Sequence, residues 1–256
     1  MSQPPDNVAP GTQLDPQILR KAMPLADFRY DEAYPDLVRL AETGDSMAAY
    51  KLWLGLQTCA HVPRDREALE QQKNRVLETR VIDGMAANDE WIANHIRDLE
   101  QRFPFCSTVP AEVDARAAAY MWLTKAAEAG FVTALLDFVS AIYMTQAAPP
   151  EVIPRHREML ERLEAAAVDG NPVALSRLSI IYSKDHPDLP RDYVKAQAYI
   201  IASREILSAP ISLGADGNMV GAAWKLSTGE LVQAEALRAQ IVRAAQTQFP
   251  RAGIAN

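Results

Sequence analysis

Residues 119–142 read AYMWLTKAAEAGFVTALLDFVSAI and set the pattern that decides the fold. Ala134 stands four residues after Gly130, and Phe138 and Ile142 follow at two further steps of four. Because a step of four residues keeps side chains on one face of a helix, these residues predict a buried stripe. Gly130 suits the position just after a helix, where a positive φ turns the chain sharply. The stretch therefore predicts two helices joined by a tight turn.

The same order of residues recurs around Gly44 and Gly170. Each of these glycines is followed by an alanine after four residues and a leucine after eight, as in Gly44, Ala48, Leu52 and in Gly170, Ala174, Leu178. Gly130 and Gly170 lie 40 residues apart, and Gly44 lies 86 residues before Gly130, close to two periods. The chain therefore predicts repeated antiparallel helix pairs, with one diverged unit in the longer interval.

These copies resemble the Sel-1-like repeat, a relative of the tetratricopeptide repeat. The central copy carries the resemblance on Ala119, Trp122, Ala126, Ala127, Gly130, Ala134 and Phe138. The third copy keeps Ala166, Ala167, Gly170, Ala174, Leu178 and Tyr182, the first keeps Gly44, Ala48 and Leu52, and a half-copy has Ala196 and Tyr199. The resemblance implies an all-α fold, a right-handed α-solenoid of antiparallel helix pairs.

The composition excludes some classes of partner. The 256 residues include 26 Lys and Arg against 33 Asp and Glu, which gives a formal charge of −7. An acidic chain lacks the basic surface that supplies most affinity for nucleic acids, so we expect no nucleic-acid partner. There is no run of about 18 apolar residues, so no membrane span is expected. A basic face on a protein partner would suit the charge.

The chain divides into three parts by sequence. Residues 1–15 are rich in proline and predict a disordered leader or tether. Residues 16–203 form the helical repeat region, in which the segment 60–110 departs from the pattern and predicts two helices, over 64–79 and 90–103. In residues 204–256 we expect a glycine-rich loop at 211–221 and a capping helix that runs to about residue 246, with Ser227 as its N-cap and Glu230 completing a capping box.

Two cysteines, Cys59 and Cys106, bracket the diverged segment. They are either two buried free thiols or one disulfide. A disulfide would pin both ends of the non-standard unit and stabilise the fold by about 4 kcal/mol, so we favour the bond. A disulfide in turn favours an oxidising compartment.

The sequence predicts no catalytic, cofactor-binding or metal-binding residues. It contains no phosphate-binding glycine loop, zinc-ligand spacing or nucleophile motif. The nearest candidate cluster is Asp185, His186 and Asp188, which we interpret as ordinary polar residues of a surface loop. Trp122 and Tyr199, at matching repeat positions, are expected in the core.

The resemblance implies a protein-binding scaffold that is not an enzyme. In bacteria such repeat proteins also resemble immunity proteins that neutralise secreted toxic phospholipases, and the cysteine pair suits the periplasm. The alternatives are a hydrolytic enzyme of the cysteine-paired repeat type and a structural envelope scaffold or adaptor. The expected location is the periplasm or envelope if a leader was removed, and otherwise the cytoplasm. The oligomeric state stays open.

Overall fold

The structure is a computed structural model that describes residues 27–143, 155–186, 189–207 and 224–248. These ranges are mostly helical, which confirms the all-α prediction. They contain the helices α1 (Tyr34–Glu42), α2 (Ser46–Cys59), α3 (Arg66–Thr79), α4 (Asp89–Cys106), α5 (Ala115–Glu128), α6 (Val132–Tyr143), α7 (His156–Val168), α8 (Pro172–Tyr182), α9 (Tyr193–Ile206) and α10 (Thr228–Gln248). The predicted leader and the loop at 211–221 lie outside the described residues.

The three repeat glycines all adopt the turn conformation that the sequence predicts. Their φ angles are +95° at Gly44, +81° at Gly130 and +91° at Gly170. In each turn the glycine N–H donates to the carbonyl three residues earlier, and the next N–H donates to the carbonyl five residues earlier. This pair of bonds satisfies the last carbonyls of the first helix.

The residue after the turn glycine also starts the second helix. The side chain of Asp45 accepts hydrogen bonds from the backbone N–H groups of residues 47 and 48. Asn171 does the same for the N–H groups of residues 173 and 174. One residue thus closes the turn and caps the following helix, so the helices of a pair need no longer connection.

The described residues divide into two compact units. The N-terminal unit holds residues 27–138 and Arg155, and the C-terminal unit holds the described residues from 139–143 and from 156 onward. In the N-terminal unit, α2 packs on α1 and most extensively on α5. The diverged segment therefore does not intervene between the first and second helix pairs, although the sequence suggested that it stands in for a repeat.

The diverged segment between the cysteines forms α3, a short hairpin and α4, and we call residues 66–106 the insert. The hairpin pairs strand β1 (Val81–Ile82) with strand β2 (Met85–Ala86) in antiparallel register. Its turn residues Asp83 and Gly84 both have positive φ, at 49° and 78°. An Asp-Gly pair between apolar residues is a strong hairpin signal, which the sequence analysis did not use.

The insert is attached to α2 at two neighbouring points. The sulfur atoms of Cys59 and Cys106 lie 2.01 Å apart, which is the length of a disulfide bond. One turn earlier on α2, a side chain at Gly55 would have its Cβ 2.4 Å from the ring of Phe105. Only glycine therefore allows α4 to approach α2 this closely.

The C-terminal unit contains α7 to α10. Here α8 packs on α7 and on α9, and α10 packs on α9. The capping helix begins as predicted, because the Ser227 N–H donates to Glu230 Oε2 at 2.7 Å and the Glu230 N–H donates to Ser227 Oγ at 3.3 Å. Within the described ranges, no helix combines the length and apolar character needed to cross a membrane.

Candidate protein-binding site

The repeat-signature residues mostly lie in the core. The buried ones are Ala48, Leu52, Ala119, Trp122, Ala126, Ala127, Ala134, Phe138, Ala167, Ala174, Leu178, Tyr182, Ala196 and Tyr199. Ala166 is half-buried, Gly44 and Gly130 are exposed, and Gly170 is buried. These residues mainly build the helix pairs, so a binding surface has to be sought largely among other side chains.

A polar network joins three helices of the C-terminal unit. The Tyr182 hydroxyl at the end of α8 donates to Glu164 Oε1 on α7. Lys195 Nζ on α9 donates to the same oxygen at 2.9 Å and lies 4.5 Å from the centroid of the Tyr182 ring. Burial, and then the bond to Glu164, raise the pKa of Tyr182 above its ordinary value. Tyr182 therefore stays protonated and serves as a fixed donor.

A solvent-open depression of about 450 Å³ lies beside this network, and we call it the binding groove. It is lined by Tyr182, Leu189, Pro190, Arg191, Asp192, Tyr193, Val194, Lys195 and Glu230. Its walls are the end of α8, the segment that leads into α9, and the first turns of α9 and α10. A volume of this size fits one or two side chains of a partner.

The two cations of the binding groove are already neutralised. Arg191 pairs with Asp185 at 3.3 Å, and Lys195 pairs with Glu164 at 2.9 Å. Both carboxylates come from outside the groove lining. The groove therefore attracts an incoming anion only weakly.

The two carboxylates of the groove form no ion pair with any described residue. Asp192 Oδ1 accepts the backbone N–H of Lys195 at 2.9 Å, and Glu230 Oε2 accepts the N–H of Ser227. The hydrogen bonds from Ser227 lower the pKa of Glu230, so the Glu230 carboxylate is ionised at neutral pH. The groove consequently presents two negative charges that helix N-termini stabilise and that no cation of the described residues neutralises.

Aromatic side chains stand next to these charges. The rings of Tyr193 and Trp224 stack with centroids 5.8 Å apart and an angle of 21° between their planes. The Arg191 guanidinium carbon lies 5.5 Å from the centroid of the Tyr193 ring. Large, rigid aromatic groups beside a charged rim are typical of protein-binding surfaces.

The sequence analysis missed this groove. Its lining comes from segments around 182, 189–195 and 230, which only the packing of α8, α9 and α10 brings together. Of the cluster Asp185, His186 and Asp188, Asp185 pairs with Arg191, and Asp188 lies outside the described ranges. Among the described residues no group of three side chains is arranged to hold a metal ion. The sequence feature that could have indicated the groove is the run Arg191, Asp192 and Tyr193 at the start of α9.

Comparison of the chain with protein-family models, with curated proteins and with solved structures found no match. The resemblance to the Sel-1-like repeat therefore stays a prediction from the sequence. The fold defines a class, an all-α protein built from short helix pairs around glycine turns.

Proposed function

We propose that the chain is a non-catalytic protein-binding module, an α-solenoid of Sel-1-like helix pairs. Two observations support the solenoid. The same glycine turn closes all three helix pairs. The second helix of a pair also packs on the first helix of the following pair, both for α2 on α5 and for α8 on α9. This neighbour-to-neighbour packing is what a helical repeat array needs.

The observation that carries the binding proposal is the charge of the binding groove. Its cations are paired within the protein, whereas Asp192 and Glu230 form no ion pair with another described residue. The partner proposed to dock there has a basic surface, in line with the net charge of −7.

The specific role proposed is that of a periplasmic or envelope immunity protein, which binds and neutralises a secreted toxin such as a phospholipase. The support is the cysteine pair at bonding distance, because disulfides form in oxidising compartments. A toxin that acts on anionic membranes commonly has a basic surface, which the acidic groove would cover. The enzyme and envelope-scaffold alternatives remain the competing outcomes of the test.

The test places a photocrosslinking phenylalanine derivative at residue 193, which conserves the aromatic ring. The control carries the same group at Trp91, an exposed aromatic residue of the N-terminal unit. Both proteins are irradiated in an envelope extract, and crosslinked proteins are identified by mass spectrometry. We expect one basic protein to crosslink at 193 and not at 91. Equal crosslinking at both positions, or none at 193, would overturn the proposal.

The captured protein then decides the role. If it is a toxin, co-expression with the wild-type chain should restore growth, while a Tyr193→Ser variant should restore it much less. A captured protein that is not toxic favours the scaffold alternative. Turnover of a captured or added substrate by the purified chain would instead favour an enzyme.

A further inference from the structure

We propose that residues 27–33 form a strap that controls the access of thiol reductants to the disulfide between Cys59 and Cys106. These residues lie outside any helix or strand and lead directly into α1. The strap belongs to the N-terminal unit, so it is independent of the function proposed for the binding groove. The disulfide is then a site of thiol–disulfide exchange that stays closed while the strap is in place.

The disulfide is shielded from solvent in the folded chain. Cys106 is 0% exposed and Cys59 is 6% exposed. The rate of thiol–disulfide exchange depends on access, because a thiolate has to approach one sulfur along the line of the S–S bond. This burial leaves no room for an attacking thiolate. Reduction of the folded chain therefore requires a local opening.

The ring of Phe105 fills space beside the disulfide. Phe105 directly precedes Cys106 at the end of α4 and is itself fully buried. The ring leaves no room for a Cβ at Gly55, and the carbonyl oxygen of Gly55 lies 3.4 Å from Cys59 Sγ. The ring and the disulfide therefore lie against the same turn of α2. From this side, a reductant reaches the bond only after the ring has moved.

Aromatic side chains of the strap hold Phe105 in position. The Phe28 ring stands edge-on to the Phe105 ring, with centroids 5.3 Å apart and an angle of 87° between the planes. Tyr30 packs in the same manner on Phe28, with centroids 5.0 Å apart. Tyr34, the first residue of α1, places its ring 6.4 Å from that of Phe105. Edge-to-face pairs stabilise a contact beyond the area that they bury, so the strap keeps the ring against α2.

Two polar contacts anchor the strap and the start of α1. Lys51 Nζ on α2 donates to Glu32 Oε1 at 2.8 Å, and both side chains are mostly buried. The Tyr34 N–H donates to Thr108 Oγ1 at 2.9 Å, just after the end of α4. A segment without helical hydrogen bonds opens at a lower free energy than the helices on which it packs. The strap should therefore open before α2 or α4.

The exchange reaction detaches the insert from α2. One thiolate of a dithiol reductant attacks the sulfur of Cys59, the more exposed residue, and forms a mixed disulfide while the bond to Cys106 breaks. The second thiolate of the reductant then closes the reductant's own disulfide and releases Cys59. Each released thiolate takes a proton from water. Two electrons pass from the reductant to the chain, and the insert loses its covalent attachment.

The test is the rate at which dithiothreitol reduces the native, full-length chain, measured by alkylation of free cysteines and mass spectrometry. Phe28→Ala should speed reduction at least about tenfold, because it removes the ring that keeps the strap closed. Glu32→Gln should speed it about threefold, since the partly buried ion pair with Lys51 is lost. The matched control is Arg29→Ala, which removes an exposed ion pair with Asp31 inside the strap and should stay within about twofold of the wild type.

The dependence of the rate on urea separates opening of the strap from unfolding of the whole chain. Global unfolding exposes a large surface, so reduction through that route rises steeply with urea. Reduction through the strap should change little below the unfolding transition, and Phe28→Ala should raise this flat rate. Equal rates for the wild type and Phe28→Ala would overturn the proposal. A wild-type rate that rises steeply from the lowest urea concentration would overturn it as well.

Discussion

The regular helix pairs and the insert cover their apolar residues in different ways. Helices α2, α5, α9 and α3 each have 14 residues, but the first three bury seven of them and α3 buries only two, Leu69 and Val76. Burying one large apolar side chain, such as leucine, contributes about 1.5 to 3 kcal/mol of transfer free energy. The insert therefore has only a small core of its own, formed by Val76, Ile82, Ala87 and Ile92, and depends on its attachment to α2.

The attachment of the insert is covalent and steric, whereas that of the regular helices is distributed. The disulfide between Cys59 and Cys106 lies one turn from the contact between Gly55 and Phe105. Within each unit the regular helices instead share contacts with more than one helix, as α2 does with α1 and α5 and α9 does with α8 and α10. This difference means that damage at one point should release the insert, while the regular pairs should respond only to changes in their packing or turns.

The largest expected effect comes from breaking the disulfide. The double substitution Cys59→Ala and Cys106→Ala should lower the free energy of unfolding by about 4 kcal/mol, since the bond closes a 47-residue loop. Hydrogen exchange should rise first at amides of residues 66–106 and little in α8 and α9. Denaturant unfolding and exchange mass spectrometry measure both.

The disulfide prediction has its own control. Thiol labelling of the unfolded, unreduced wild type should find no free cysteine. Two labelled cysteines would show that the bond does not form in solution. A uniform rise of hydrogen exchange across both units would contradict the separate attachment of the insert.

The next largest effect is expected when turn glycines of the regular pairs are replaced by alanine, and it should differ between Gly170 and Gly44. At Gly170 an added Cβ would lie 2.4 Å from Ala245 Cβ on α10, whereas at Gly44 nothing lies within 4 Å. Both have positive φ, which costs an alanine about 1 kcal/mol. Gly44→Ala should therefore lower the free energy of unfolding by about 1 kcal/mol, and Gly170→Ala by about 3 kcal/mol because of overpacking. Equal losses would show that α10 does not pack on the turn.

A smaller effect concerns pH and should spare the insert, which has no tyrosine in residues 66–106. In the regular pairs, Tyr50 donates to Asp137 at 2.5 Å and Tyr182 donates to Glu164. Burial, and then these bonds, raise the pKa of both hydroxyls. Because the folded state holds these protons more tightly, stability is full below a pH of about 10 and falls as pH rises beyond it.

The matched variant for the pH effect is the double substitution Tyr50→Phe and Tyr182→Phe. Its free energy of unfolding, measured in urea at a series of alkaline pH values, should fall less steeply than that of the wild type. Parallel curves would contradict the role of these two hydroxyls.

The local features of the fold could be predicted from the sequence. The conformation of the turn glycines and the capping box of Ser227 and Glu230 follow from short spacings, because each depends on neighbouring residues. The cysteine pair was predicted from its position at the two ends of the diverged segment. The predicted insert helices over 64–79 and 90–103 correspond to Arg66–Thr79 and Asp89–Cys106. The hairpin between them could also have been predicted, because an Asp-Gly pair stands at its turn.

The long-range features could not be predicted in the same way. A helical period identifies which face is buried but not which helix covers it, so the packing of α2 on α5 past the insert was not visible. The binding groove likewise combines residues near 190 with Glu230, and no pattern in the sequence indicates that these residues lie together. Its charge depends on which cations are paired, and that depends on side-chain geometry.

The most direct test of the central claim is the dissociation constant of the partner captured at residue 193. It should be measured by calorimetry for the wild type, for Tyr193→Ser and for Trp91→Ser. We predict that Tyr193→Ser weakens binding at least about tenfold, as expected for an aromatic residue at the centre of an interface. Trp91→Ser should stay within about twofold of the wild type. Equal dissociation constants for all three proteins would contradict the assignment of the groove as the binding site.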